Sequence, residues 1–132
     1  TITRHLVEAH GGVIMAERVA ITSDMADSRH VKWAGLLNGD TGAPCGYQGS
    51  GDKSIQITGT FGAGGTMVLE GTLDKDPASA TWFILSDLHT LAISKTANDL
   101  EGIAEAVIWL RPRVTAGDGT TNLVAQLVVR QK

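Results

Sequence analysis

The chain has a single cysteine, Cys45, which excludes an internal disulfide and a multi-cysteine metal site. A catalytic thiol at that position would need a histidine and an orienting group beside it; the plainer reading is a buried or loop thiol. Aromatic residues are equally scarce, at 5% of 132 residues, so a core must come from Val, Ile, Leu, Met and Ala. The 42% hydrophobic content is enough for one domain of this length. There is no basic run, and a net charge of −3 is spread over mixed signs, so no nucleic-acid partner is expected. No apolar run approaches a membrane span, and no basic region followed by an apolar one opens the chain. The sequence begins at Thr1, as removal of an initiator methionine or a trimmed end would leave it. The expectation is a soluble product made in a cytoplasm, with no membrane partner.

What the chain has in quantity is glycine, 16 residues of it, set between short apolar runs. The clearest stretch is 53–73, KSIQITGTFGAGGTMVLEGTL. Ile55, Ile57 and Gly59 alternate with Ser54, Gln56 and Thr58, then Met67, Leu69 and Gly71 alternate with Val68, Glu70 and Thr72. Alternation with period two reads as two strands, each with one buried face. The Gly62-Ala63-Gly64-Gly65 run between them supplies the backbone freedom a hairpin reversal needs. The same glycines resemble a phosphate cradle, but that chemistry requires a following helix, and a strand follows here.

The rest of the chain reads as further short strands. Residues 1–29 are assigned to an N-terminal arm and edge strand, with 13–22 as strand and 23–29 as a polar turn, and 30–132 to a β-sandwich domain. Over 30–38, Val31, Trp33, Gly35 and Leu37 share a face. The glycine-rich stretch 38–52, which holds Tyr47, reads as a long contact loop. Residues 81–86, TWFILS, are apolar on both faces, as in strands that lie mid-sheet or at an interface. Residues 96–106 are the one plausible helical piece, with Asn98 and Glu101 at capping-box spacing. In 107–115, Ile108, Leu110, Pro112 and Val114 alternate with Trp109, Arg111 and Arg113, and Pro112 points to an edge strand or a bulge. The last strand buries Leu123, Ala125, Leu127 and Val129. The fold expected is all-β: an antiparallel, jelly-roll-like β-sandwich with one short helical turn and an extended N-terminal arm.

Few patterns point to reaction chemistry. His5, His10, His30 and His89 share no metal-ligand spacing, so no metal or other cofactor is expected and satisfied or solvated histidines are. Asp40 and Asp118 each sit alone in a glycine-rich loop, which suits turns better than calcium. The chain is expected not to be an enzyme. Trp33, Trp82 and Trp109 fit either a glycan-stacking platform or packing in a core or subunit interface. Arg111 and Arg113, two apart on a strand, lie on the same side as Trp109, and Trp and Arg are enriched at interfaces. The candidate partner contacts are therefore Ile2, Arg4 and Leu6 in the arm, Tyr47 in the loop, and Trp109, Arg111 and Arg113 on the strand. If the two arginines serve only a partner, both can be removed without harm to the fold.

The runs VKWAGLLNGDTGAP, SIQITGTFGAGGTMVLEGT and LEGIAEAVIWLRPRVTAGDGTTNLVAQLVVR, with Trp82, resemble a family of small β-sandwich virion structural proteins of tailed bacteriophages and prophages. The resemblance covers 30–131 and is most specific in RPRVTAGDGTT and GTFGAGG. It implies capsid decoration: a cement protein, a dimer or trimer, on the outer surface of the major capsid protein shell, bridging neighbouring subunits. Another virion position (neck, tail or fibre) and a glycan-binding module are the alternatives.

Overall fold

The computed structural model describes residues 17–18, 20–25, 28–46 and 51–131. In chain order the strands are β1 (Glu17–Arg18), β2 (Ala20–Met25), β3 (Ser28–Leu36), β4 (Thr41–Gly42), β5 (Cys45–Gly46) and β6 (Gly51–Thr60). They continue with β7 (Thr66–Thr72), β8 (Phe83–Ile84), β9 (Ser94–Lys95), β10 (Asp99–Gly102), β11 (Trp109–Ala116) and β12 (Asn122–Gln131). A five-stranded sheet runs β10-β6-β12-β3-β2, and a seven-stranded sheet runs β1-β4-β11-β7-β8, with β5 beside β11 and β9 beside β7. Pairing is antiparallel except for the short β1–β4 contact, which is parallel. The all-β antiparallel sandwich is as the sequence pattern indicates.

The two sheets enclose one apolar layer. Val31 and Trp33 from β3, Ile55 and Ile57 from β6, and Leu123, Ala125 and Leu127 from β12 face Met67, Leu69, Leu110 and Val114. Each fully buried aliphatic side chain contributes about 1.5–3 kcal/mol, and the few aromatic residues are hardly needed. Trp33 is the exception, fully buried with Nε1 donating to the Ala43 carbonyl at 2.9 Å.

The stretch 53–73 is not a hairpin. β6 pairs with β10 and β12 in one sheet, whereas β7 pairs with β11, β8 and β9 in the other. The glycine-rich segment is a corner that carries the chain from sheet to sheet. Gly62 has φ +74°, and a Cβ added there would run into Asp118 Oδ1. The corner does cradle an anion, but the anion is the chain's own: Asp118 Oδ2 accepts from Ala63 N at 2.8 Å. Asp118 Oδ1 also accepts from Thr120 N (2.8 Å) and Thr120 Oγ1 (2.6 Å), and Thr121 Oγ1 donates to Phe61 O at 2.8 Å. The β11–β12 turn and the β6–β7 corner are thus clasped together.

Other local readings change for similar reasons of context. Gly35, at φ +69°, sits where β3 slips register against β12 between Leu123 and Ala125. The slip turns Leu36 into the core and leaves Leu37 exposed, so the alternation expected over 30–38 ends at Trp33. Within 23–29, β2 runs on to Met25 and β3 begins at Ser28. The loop 38–52 contains β4 and β5, both held by β11. No helix forms over 96–106: Asp99–Gly102 pairs with β6, and Asn98 Oδ1 accepts from Gly59 N at 3.1 Å instead of capping a helix. The one helical turn among the described residues is the 3-10 turn Pro77–Ser79, capped by Asp76.

Pro112 was expected at an edge strand or a bulge; it lies mid-sheet, between β7 and the β4/β5 pair, with a register shift against β7 between Val114 and Ala116. Its partner Leu69 directs its N–H to Ile93 O and accepts from Leu85 N, on the far side of β7. The proline nitrogen therefore faces the opposite side, where residues 43–44 interrupt the pairing between β4 and β5. A missing donor costs nothing at that gap. The expected arm falls largely outside the described residues, which begin at Glu17.

Asp118 is held at a pKa of about 2, by the Thr120 hydroxyl first and then by the Ala63 and Thr120 amides. A depressed carboxyl stabilises the fold fully above its ordinary value of about 3.9 and loses that contribution as pH falls through the folded value. Asp118→Ala should lower the melting temperature at pH 7, and the gap to wild type should close as pH falls from about 4 towards 2. A gap that is the same at both ends of that range would show that the carboxylate clasp does not stabilise the corner.

Candidate functional site

From Trp109 to Val114, β11 alternates as the sequence pattern indicates, but Ile108, expected on the inner face, precedes the strand and is 39% exposed. Leu110, Pro112 and Val114 turn inward, and Trp109, Arg111 and Arg113 turn outward. On β7 the inward residues are Met67, Leu69 and Gly71, yet the outward ones are buried too: Val68 is 3%, Glu70 4% and Thr72 3% exposed. The single buried face expected for this strand is in fact two. A carboxylate buried in this way must be paired and hydrogen-bonded.

The β7–β11 register places Glu70 opposite Arg111, two positions from the Arg113–Val68 pair on the same face. Glu70 Oε1 accepts from Arg111 Nε at 3.1 Å and Oε2 from Arg113 Nε at 2.8 Å, with Arg113 Nη2 at 2.7 Å from the same oxygen. The Arg111 guanidinium lies over the Trp82 ring, 4.0 Å from its centroid. Such stacking contributes about 0.5–2 kcal/mol. Trp109 donates from Nε1 to Lys75 O at 3.0 Å. The polar groups on the outer face of β11 are therefore engaged within the chain, with Arg113 still 37% exposed. Trp109, Arg111 and Arg113 are brought together as the sequence spacing requires, but they converge on the chain itself.

Ile2, Arg4, Leu6 and Tyr47 lie outside the described residues. Among the described residues no group of three His, Cys, Asp or Glu is placed to hold a metal. His30 Nε2 lies 3.0 Å from Gln126 Oε1. Burial pushes the Cys45 thiol above its ordinary value, partly opposed by the nearby Arg29 charge, which works against an activated nucleophile.

Large apolar side chains are exposed at the β8 edge of the same sheet and in the loop that follows it. Residues 81–86 are not mid-sheet; Phe83–Ile84 pair with β7 at its margin, and Ser86 bridges to Ala92. Phe83 is 65% exposed and Ile84 47%, beside Leu73 at 67%, Leu88 at 68% and Leu91 at 65%. The loop carrying Leu88 and Leu91 is fixed by Asp87, whose Oδ1 accepts from His89 N at 2.7 Å and Leu91 N at 3.1 Å. Those bonds, Leu91's first, hold the Asp87 carboxyl below its ordinary pKa. Between this edge and residues 105–107 opens a cavity of ≈ 540 Å³. Leu73, Phe83, Ile84, Leu85 and Val107 give it apolar walls, and Asp74 and Glu105 lie among its polar lining. The signal for this surface was present in TWFILS, apolar on both faces. Alternation alone does not say whether such a strand is covered.

Glu70 separates the two features energetically. Glu70→Ala leaves two partly exposed guanidinium groups without their carboxylate, and should cost about 1.5–3 kcal/mol. Arg113→Ala, at a side chain 37% exposed, should cost under about 1 kcal/mol. Removing both arginines strands a buried carboxylate, so the expectation that the pair is dispensable for folding does not survive this geometry. Urea unfolding of the variants measures the order; equal costs for Glu70→Ala and Arg113→Ala would contradict it.

No protein-family model matches the chain, and no curated protein matches it in sequence. Solved structures do share its fold. A cupin domain from Bordetella pertussis Tohama I is 14% identical over 92% of this chain and 100% of its own, with a TM-score of 0.50. The SPBc2 prophage-derived protein YomS is 8% identical over 81% of this chain and 97% of its own, with a TM-score of 0.56. At these identities the likeness concerns the fold, a jelly-roll-type β-sandwich.

Proposed function

We propose that this chain is a non-catalytic virion structural protein of a tailed phage or prophage. Its role is capsid decoration: a dimer or trimer that sits on the outer surface of the shell, bridges major capsid protein subunits and stabilises them. The observation that carries the docking role is the exposure of large apolar side chains: Leu73, Phe83 and Ile84, which line one cavity, and Leu88 and Leu91 in the loop that follows. Exposed apolar surface around a cavity marks interaction sites more often than it is tolerated bare. The virion setting is supported by the sequence resemblance over 30–131, and a prophage-derived protein among the structures sharing the fold is in keeping with it. On a symmetric shell, many modest contacts add through effective concentration, so each docking surface can be small.

The glycan-binding alternative has less support in the geometry. Trp33 is fully buried, Trp82 has Arg111 over its ring, and Trp109 is tied to the Lys75 carbonyl. A neck, tail or fibre position differs from decoration in number. Quantitative mass spectrometry of purified particles should find on the order of hundreds of copies, against about a dozen for a closed neck ring. A dozen copies would move the protein to the neck or tail, and none would remove it from the virion.

A further inference from the structure

We propose that the cavity beside β8 receives an extended segment of a partner protein, its large apolar side chain in the cavity and an adjacent Lys or Arg against Asp74. The proposal rests on the docking reading above and specifies the partner's chemistry. The volume, ≈ 540 Å³, falls in the range of about 300–1,000 Å³ that ordered ligands occupy. Gly71 forms part of the lining, with Leu85 and Val107 packed close beneath it.

The charged residues that line the cavity, Asp74 and Glu105, are both acidic. Asp74 Oδ2 accepts from Thr81 N at 2.8 Å, and among the described residues no cation is ion-paired with it. Glu105 Oε1 accepts from Ser86 N at 2.8 Å, and its charge is partly met by Lys53. No Lys, Arg or His lines the cavity. An acidic peptide or a fatty acid would therefore meet like charge, whereas an apolar residue next to a cation finds both of its needs.

The backbone favours an extended occupant. Leu85 N donates to Leu69 O across the β7 side of the edge. In an antiparallel pair the neighbouring residue turns the other way, so Ile84 presents its N–H away from β7, beside the cavity. Farther along, Ser86 already donates to Glu105 Oε1 and accepts from Ala104 N, so an extended segment gains its main-chain bond at Ile84 while an apolar side chain enters the pocket.

The probe is a fluorescein-labelled, capped nonapeptide alternating Lys with Leu around a central Phe; its control carries Glu in place of Lys. Fluorescence anisotropy should show binding of the lysine peptide only, with amide NMR shifts confined to 71–74, 81–85 and 105–107. Asp74→Asn keeps an acceptor for Thr81 and should weaken binding about threefold at low salt, the scale of an exposed ion pair. Ala106→Trp, at an exposed lining position, should fill the cavity and weaken binding at least about tenfold, the scale of losing a buried anchor. Equal binding of both peptides, or of wild type and Ala106→Trp with native circular dichroism, would overturn the proposal. So would shifts centred on 109–113. Particles separate it from the virion reading. Wild type and Ala106→Trp decorating equally would remove the cavity and leave the virion role. Peptide binding as expected, with no wild-type protein on particles, would remove the virion role and leave the cavity.

Discussion

β7 is buried on both faces, and much of the seven-stranded sheet follows from that. Its inner residues join the apolar layer between the sheets. Its outer residues include Glu70, whose carboxylate is kept from water. A buried charge of that kind costs several kcal/mol unless it is matched. Arg111 and Arg113 match it from β11, and Trp82 covers Arg111. The residues that look most like a partner-binding triad are thereby committed to the fold. Apolar area remains exposed where β7 has only short neighbours, at β8 and the loop beyond it.

The corner at 61–65 shows a second economy. A jelly-roll sandwich must pass the chain between sheets without fraying at the bend. Here the backbone N–H of Ala63 is satisfied by a carboxylate from a turn 55 residues later. Glycine at position 62 lets that carboxylate approach. On the other side of the sandwich Lys95 of β9 binds Asp99 at 2.8 Å and Glu101 at 2.7 Å, both on β10. Its pKa is raised by those bonds, Asp99's first. Each sheet is thus tied to the other by polar contacts outside the apolar layer.

The strand-forming segments were largely legible in the sequence because period-two alternation reports burial directly. Ile55, Ile57, Leu123 and Leu127 needed nothing more. The partnership of strands was not legible: the pattern at 53–73 is the same for a hairpin and for a corner, and only the pairing with β10 and β12 decides. Asn98 and Glu101 have the spacing of a helix cap, yet Gly102 and an open β6 edge favour a strand, a tertiary effect that local propensity does not contain. Arg111 and Arg113 were correctly placed on one face. Their carboxylate partner, 41 and 43 residues away, was not visible from spacing. The β8 surface was half legible, since TWFILS announces apolar faces without saying what covers them.

The most direct measurement of where this protein docks is hydrogen–deuterium exchange, comparing the free protein with protein assembled on particles. Docking through the β8 edge predicts slowed exchange at 71–74, 81–91 and 105–107, with 109–113 unchanged because the outward side chains there are engaged by Glu70 and Lys75 of the chain itself. Protection concentrated at 109–113, with 81–91 unaffected, would contradict this account.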